Sequence, residues 1–280
     1  MNASRPRPSA SSRLGRPSRR GWPLIFAAFA LACLTLTSCS STADVAKVKS
    51  AETVAVPIIT VDQNIDLSDV QDGAGTLVQR LLDDDAFDLS PMVGELHTKV
   101  YQTYAKRLPG DVLPEDQVIR TERYQNFQLL DRSSSDDRMQ NLSSILVPEG
   151  YKKYNVATGS VFGSRQEKMF GAVPDQADAL LFVSANYAMK KDNPFWYWFV
   201  PFTPDQAAVE ATVSMEMVDR SGEVILDVQR SATSADRMTM VGGLNLNPDE
   251  IQKLCFDATE KAFQEVDTFT KQELAANSGS

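Results

Sequence analysis

The sequence predicts an α/β (α+β) domain in which helices flank a mixed β-sheet, with a β-hairpin and a long C-terminal helix. Apolar and polar residues alternate over residues 209–217 and again over residues 224–228, which is typical of paired strands with one buried face. Residues 180–183 are apolar at every position, which indicates a central strand buried on both faces. Apolar residues recur every three or four positions over residues 251–269, which is typical of a helix that lies on a sheet.

The first 38 residues have the features of an export signal. Six arginines and no acidic residue precede an apolar run from Trp22 to Leu36. This run is shorter than the roughly 20 residues that cross a bilayer, but it has the length of a signal-peptide core. We therefore expect residues 1–38 to be a signal peptide. Residues 18–22 partly resemble a twin-arginine signal, so export by the Sec or the twin-arginine route stays open.

The segment Leu36-Thr37-Ser38-Cys39 resembles the lipobox of bacterial lipoproteins. The resemblance implies that Cys39 is the acylated first residue of the mature chain, with fatty acids such as palmitate as its membrane anchor. Ser40 resembles the residue that sorts Gram-negative lipoproteins to the outer membrane, which implies its inner leaflet, facing the periplasm. An ordinary signal peptide with an incidental Cys39, a tethering helix and a Gram-positive envelope stay open as alternatives.

Three regions are expected after the signal peptide. Residues 39–51 are small and polar, as in a flexible tether, residues 52–275 form a single α/β domain, and residues 276–280 form a disordered tail. The domain begins with a buried strand at residues 54–61, in which Pro57 indicates a sheet edge or a bulge.

Two helices are predicted between residues 75 and 108, separated near residues 83–88. The second carries an apolar stripe of Leu89, Val93, Leu96, Val100 and Tyr104. Residues 111–176 predict a strand, loops and a short helix near 164–171. The last helix is expected to begin at Asn247 and to run for about 25 residues, with an apolar stripe that comprises Ile251, Leu254, Cys255, Ala258, Ala262, Val266 and Phe269.

The mature chain is strongly acidic. Without residues 1–38, 242 residues remain, with 22 basic and 37 acidic side chains and a formal charge of about −15. Such a charge disfavours nucleic acid and anionic lipid as electrostatic partners. If Cys39 is acylated, Cys255 is the one cysteine left in the mature chain. An internal disulfide is then excluded, and stability must come from a packed core.

Few residues offer a specific chemistry. His97 is the sole histidine and is expected on a helix surface, while Cys255 is expected in the core, so we predict no metal centre and no cofactor. The segment Asp62–Ser68 spaces oxygen ligands as a calcium loop does. Leu67 stands where such a loop needs glycine, which favours a polar loop between a strand and a helix. The 37 acidic residues offer no means of choosing a catalytic carboxylate pair.

The most unusual mature segment is aromatic. It contains Phe195, Trp196, Tyr197, Trp198, Phe199 and Phe202. Buried rings would belong to the core, whereas exposed rings would suit a lipid interface or a protein partner. Our hypothesis is that the segment is partly exposed and contacts a membrane or a partner.

Three features of the sequence resemble envelope lipoproteins of the curli-secretion-channel and peptidoglycan-synthase-activator type. They are the start of the central strand at residues 177–181, the hairpin at residues 218–225 and the long final helix. The similarity covers residues 52–72 and 177–275. It implies a mixed sheet flanked by helices and action by assembly or partner contact, without catalysis. We therefore expect a lipid-anchored envelope protein that binds or assembles with an envelope protein. The alternative is a lipid-anchored periplasmic hydrolase that uses paired carboxylates.

Overall fold

The structure, a computed structural model of the chain, describes residues 41–69, 87–127, 144–153, 168–192, 205–240 and 247–276. Its strands are β1 (Thr42–Ala43), β2 (Thr53–Asp66), β3 (Asp111–Val112), β4 (Ile145–Leu146), β5 (Ala179–Asp192), β6 (Asp205–Asp219), β7 (Val224–Thr233) and β8 (Met238–Met240). Its α-helices are α1 (Val45–Ser50), α2 (Ser90–Gln102), α3 (Glu115–Ile119), α4 (Glu122–Asn126) and α5 (Pro248–Ala276), and a 3₁₀-helix follows α2 at Tyr104–Arg107.

These strands form one mixed sheet. Its order is β1-β7-β6-β5-β2-β3, with β4 beside β2 and β8 beside β6. β2 runs parallel to β3 and β5, whereas β5, β6 and β7 pair antiparallel. Helix α2 contacts β2, and α5 contacts β6 and β7. The predicted fold class is therefore confirmed, including the hairpin and the long C-terminal helix.

Strand β5 lies in the interior of the sheet, between β2 and β6. Its residues Leu180–Val183 are buried, as their continuous apolar sequence predicts. In β6 the odd-numbered residues from Val209 to Met217 are buried, while the polar residues between them are partly exposed. The predicted central strand and the predicted half-solvated strand are both confirmed.

A tight turn joins β6 to β7. The Oδ1 atom of Asp219 accepts hydrogen bonds from the backbone N–H of Ser221, at 2.9 Å, and of Glu223, at 3.0 Å. Gly222 has a φ of +82°, a left-handed conformation that glycine adopts without a steric cost. The turn residues therefore fix the register with which the two strands of the hairpin begin to pair.

Strand β2 is longer than the predicted strand at residues 54–61, since it continues to Asp66. Pro57 lies where the register between β2 and β5 shifts, which agrees with the predicted edge or bulge. In the described chain, β3 pairs with the first two residues of β2, Thr53 and Val54, and β4 pairs with Val61 and Asp62 in its second half. The carbonyl of the buried Pro57 accepts a hydrogen bond from the Tyr124 hydroxyl at 2.8 Å, and this hydroxyl accepts one from the backbone N–H of Lys152 at 3.1 Å.

Side-chain contacts join the α2 region to α5. The Arg107 guanidinium donates two hydrogen bonds to the Asp267 carboxylate, at 2.8 and 3.0 Å, and the hydroxyls of Tyr104 and Thr270 lie 3.1 Å apart. The predicted apolar stripes of both helices are buried except for Phe269, which is partly buried. Within the described ranges, no helix is long and apolar enough to cross a membrane.

The described part of the predicted tether belongs to the fold. Thr42 and Ala43 pair antiparallel with β7, and Val45 and Val48 of α1 are buried. Residues 39–51 have the composition of a linker, but two apolar residues three positions apart are enough to dock one helical turn. The prediction of a flexible tether is therefore wrong from Thr42 onward.

The structure also revises residues 111–176. Two short strands, β3 and β4, and two short helices, α3 and α4, replace the single strand that we expected. Of the short helix expected near 164–171, only the end is described, where Lys168 and Met169 are helical. The first of the two helices predicted between residues 75 and 108 lies outside the described residues.

We expect Tyr124→Phe to destabilise the protein by about 1 to 3 kcal/mol, because it leaves the buried carbonyl of Pro57 without its hydrogen-bond donor. Urea unfolding followed by circular dichroism measures this loss. Thr98→Val is the control, since its exposed hydroxyl donates to the Gly94 carbonyl inside a helix and its removal should cost less than about 0.5 kcal/mol. Equal stabilities of the two variants would contradict the proposed role of the Tyr124 hydroxyl.

Candidate functional site

The site residues predicted from the sequence lie outside the described residues. These residues are Cys39, Phe195, Trp196, Tyr197, Trp198, Phe199 and Phe202. The described chain starts at Ser41, two residues after Cys39, and the aromatic segment lies between β5 and β6 in the sequence. The neighbouring described residues therefore define where the segments that contain Cys39 and the aromatic residues join the fold.

Ser41, β1 and β7 form the junction with the segment that contains the predicted anchor residue. β1 pairs antiparallel with residues 226–227 of β7, so the chain before β1 runs along β7 towards Arg230. Ser41 follows this direction, because its hydroxyl donates to the Gln229 carbonyl at 3.4 Å and accepts from the Gln229 N–H at 3.3 Å. The same hydroxyl accepts a hydrogen bond from Arg230.

Helix α1, which follows β1, holds the C-terminal side of the junction. The backbone N–H of Asp44 donates to the Ile225 carbonyl at 2.9 Å, and the Asp44 carboxylate accepts from the N–H of Lys47 at 3.2 Å as a helix cap. The Lys47 ammonium pairs with Glu223 beside the β6–β7 turn, and this hydrogen bond raises the pKa of Lys47. The junction is therefore held at both ends and is part of the folded domain.

A groove of about 720 Å³ lies beside the junction, between the end of β7 and the C-terminal half of α5. We call it the Arg230 groove, and its lining includes Arg230, Thr233, Lys261, Glu265, Phe269 and Gln272. The guanidinium carbon of Arg230 lies 4.0 Å from the centre of the Phe269 ring, a cation–π geometry. Two basic residues and one acidic residue line the groove, and the Lys261 ammonium is paired with the Asp257 carboxylate at 2.8 Å, so the groove together with this partner is formally neutral.

The two ends of the β5–β6 ladder differ in the chain connections that lie there. The β5–β6 ladder runs from the pair Asp192 and Gln206 at one end to the pair Ala179 and Asp219 at the other. β7 runs towards the first end and finishes at Thr233. We call the first end the anchor end, because Ser41, the first described residue, contacts Gln229 and Arg230 in the half of β7 that is nearer to it, and the second the turn end. The connection that contains the aromatic residues starts and finishes at the anchor end.

A second cleft, of about 660 Å³, lies between α2, α3 and the chain after β4. In its wall, Nε2 of His97 lies 3.2 Å from Oε2 of Glu115. Nε2 is buried and makes no hydrogen bond within the described part of the chain, so this contact is an ion pair only when the imidazole is protonated. The predicted helix-surface position of His97 is only partly right, because its side chain is 24% exposed and its ring centre lies 5.0 Å from that of Tyr101.

Two tyrosines pack behind this cleft. The hydroxyls of Tyr101 and Tyr151 lie 3.0 Å apart. Burial raises the pKa of Tyr101 to about 12, although the hydrogen bond with Tyr151 opposes this. Burial also raises the pKa of Tyr151, and the nearby Tyr101 and Glu115 add to the effect. Both phenols are therefore neutral hydrogen-bonding groups near pH 7.

The structure also describes Cys255 and the calcium-loop-like segment Asp62–Ser68. Cys255 is buried, as predicted, and burial raises the pKa of its thiol. Asp62 lies inside β2 rather than in a loop, and its Oδ1 accepts from the N–H of Asn64 at 2.9 Å, while Asp66 accepts from the N–H of Ser68 at 2.9 Å. Each carboxylate thus accepts from the backbone N–H two residues further along the chain, and the described residues contain no group of three or more His, Cys, Asp or Glu placed to hold a metal.

Sequence reasoning missed Arg230 and the groove that it lines. The contact between Arg230 and Phe269 joins residues 39 positions apart, and its partner Ser41 is 189 positions away. A strand pattern marks position 230 only as a polar residue. Phe269 was visible as the last member of the apolar stripe of α5, but the stripe does not indicate that an arginine covers it.

Comparisons with known proteins assign no family. No family model and no curated protein matches the chain. Among solved structures, a neuraminyllactose-binding hemagglutinin homologue from Helicobacter pylori has a TM-score of 0.36 and 10% identity over 81% of this chain and 87% of its own. The hypothetical protein CT253 from Chlamydia trachomatis has a TM-score of 0.31 and 9% identity, over 80% and 98%. Lipoprotein GNA1162 from Neisseria meningitidis has a TM-score of 0.25 and 12% identity, over 77% and 99%.

The raised pKa of Tyr101 predicts a loss of stability at alkaline pH. A phenol ionises near pH 10 in the unfolded chain but near pH 12 at this position, so its contribution is complete below pH 10 and falls as the pH rises towards 12. We expect Tyr101→Phe to reduce this alkaline loss by about 1 to 2 kcal/mol at pH 11.5. The difference between unfolding free energies at pH 9 and pH 11.5 measures it. Thr98→Val should keep the wild-type loss, and an equal loss in Tyr101→Phe would contradict the assignment.

Proposed function

We propose that the chain is a lipid-anchored protein of the bacterial cell envelope and that its folded body is a non-catalytic binding or assembly component. The observation that carries the proposal is the lipobox-like segment ending at Cys39, which stands two residues before the chain joins the sheet at Ser41. An acyl group at Cys39 would thus connect directly to a folded domain. Several acyl chains anchor stably, because each buried methylene contributes about 0.8 kcal/mol.

The proposed location is the inner leaflet of an outer membrane, with the domain in the periplasm. Ser40 supports this leaflet, because it resembles the outer-membrane sorting residue of Gram-negative lipoproteins. The formal charge of about −15 on the mature chain supports a body that stays in water while the acyl chains hold it, since exposed charge opposes burial in lipid.

The binding role is proposed for the aromatic segment. Phe195, Trp196, Tyr197, Trp198 and Phe199 follow one another in the connection between β5 and β6, and both ends of this connection lie in a regular antiparallel ladder. A paired ladder gives such a connection a rigid base. Aromatic side chains contribute much of the binding energy at protein interfaces.

We expect Cys39→Ser to abolish the incorporation of labelled palmitate into the protein, because it removes the thiol that carries the proposed anchor. Cys33→Ser and Cys255→Ser are the matched controls, since Cys33 lies in the predicted signal peptide and Cys255 is buried. Mass spectrometry of the mature N-terminus should find acyl groups at Cys39 in both controls. An unmodified Cys39 in the native protein would overturn the proposal.

The combined change Trp196→Ala and Trp198→Ala should weaken crosslinked recovery of an envelope partner about tenfold, because a lost interface tryptophan costs on the order of 1.4 kcal/mol or more. Val224→Ala is the control, since Val224 is an exposed apolar residue, 41% exposed, at the opposite end of the sheet. Quantitative mass spectrometry after crosslinking in intact cells compares the three proteins. Unchanged recovery and unchanged liposome binding of the double variant would remove the aromatic segment from the proposal.

A further inference from the structure

The direction of the chain at β1 determines where the anchor leaves the domain. β1 pairs antiparallel with β7, and Ser41 contacts Gln229 and Arg230. Consecutive Cα atoms are 3.8 Å apart, so the Cα of Cys39 lies within about 8 Å of that of Ser41 in any conformation. The acyl group is therefore attached close to the Arg230 groove, whatever the path of the two intervening peptide bonds.

The junction cannot swing away from the sheet without breaking the fold. Asp44 bonds to the backbone of β7 at 2.9 Å, and Val45 and Val48 are buried in the next turn. Releasing this segment would expose both valines, at a cost of roughly 1.5 to 3 kcal/mol for each. Only Cys39 and Ser40 thus stand between the proposed lipid and the described part of the domain.

The charge of the neighbouring surface suits a bilayer better than the rest of the domain does. The Arg230 groove is formally neutral when Asp257, the partner of Lys261, is counted, whereas the mature chain carries about −15. An anionic lipid surface repels the acidic parts of the domain surface more strongly than it repels the groove. The connection between β5 and β6 also starts and finishes at the anchor end.

We infer that the Arg230 groove is the side of the domain that lies against the lipid headgroups, so that the body stands on the membrane in one orientation. This inference rests on the proposed acylation of Cys39. The anchor end then faces the bilayer, and the β6–β7 turn points into the surrounding water. The bilayer surface contacts Arg230, Lys261 and Gln272 at the rim of the groove.

The depth of two labels on the same hairpin tests this orientation. Thr233→Cys places a thiol in the groove, and Ser221→Cys places one in the β6–β7 turn, about 30 Å away along β7. Both positions are exposed, Cys255 is buried, and Cys39 is blocked when acylated. The full chain is expressed, processed, labelled with a fluorophore and reconstituted into phosphatidylethanolamine and phosphatidylglycerol vesicles that contain a headgroup-spin-labelled lipid.

We expect the label at residue 233 to be quenched at least about twofold more strongly than the label at residue 221. Insertion of twelve Gly and Ser residues between Ser40 and Ser41 adds a flexible span of about 20 Å, and it should reduce this difference. Equal quenching at both positions, with the protein bound to vesicles, would overturn the orientation alone. A protein that carries no acyl group and does not float with vesicles would overturn the proposed function and this inference together.

Discussion

The parallel pairing of β2 with β5 is the constraint on which the rest of the structure depends. It places a strand from the N-terminal part of the chain beside one that begins more than a hundred residues later, and it makes β5 an interior strand whose residues 179–185 are buried on both faces. A parallel pair cannot be closed by a tight turn, so the chain between the two strands must cross the sheet. That crossing segment supplies α2, which packs on β2, and the Tyr124 hydroxyl, which bonds to the carbonyl of Pro57.

Because β2 occupies one side of β5, the hairpin formed by β6 and β7 extends the sheet on the other side. β7 would then end the sheet with unpaired backbone groups, which is a known route to unwanted pairing between chains. β1 pairs with part of this edge and α1 packs behind it. The first described residues after the proposed lipid site therefore protect a sheet edge.

Local patterns predict the elements whose residues alternate or recur over many positions. The alternation in β6, the apolar run in β5 and the stripe of α5 each extend over enough residues to specify an element and its buried face. β1 has only two residues, so no period exists to detect. The contacts of Ser41 with Arg230 and of Tyr124 with Pro57 join distant parts of the chain. These long-range contacts depend on the order of the strands in the sheet, and no local pattern in this sequence specifies that order.

The electrostatic field of a membrane and the proposed anchor at Cys39 would both act on the part of the domain near Ser41. Screening limits the field of an anionic membrane to about 8 Å at physiological salt, so only the surface nearest the lipid responds to it. A long tether would let the acidic body leave that layer and rotate freely. If Cys39 carries the proposed lipid, only two residues separate the lipid from Ser41, so some face of the body must remain in the layer, and the least acidic nearby face is favoured there. The Arg230 side chain meets both requirements, because it holds Ser41 and lines the groove with a positive charge.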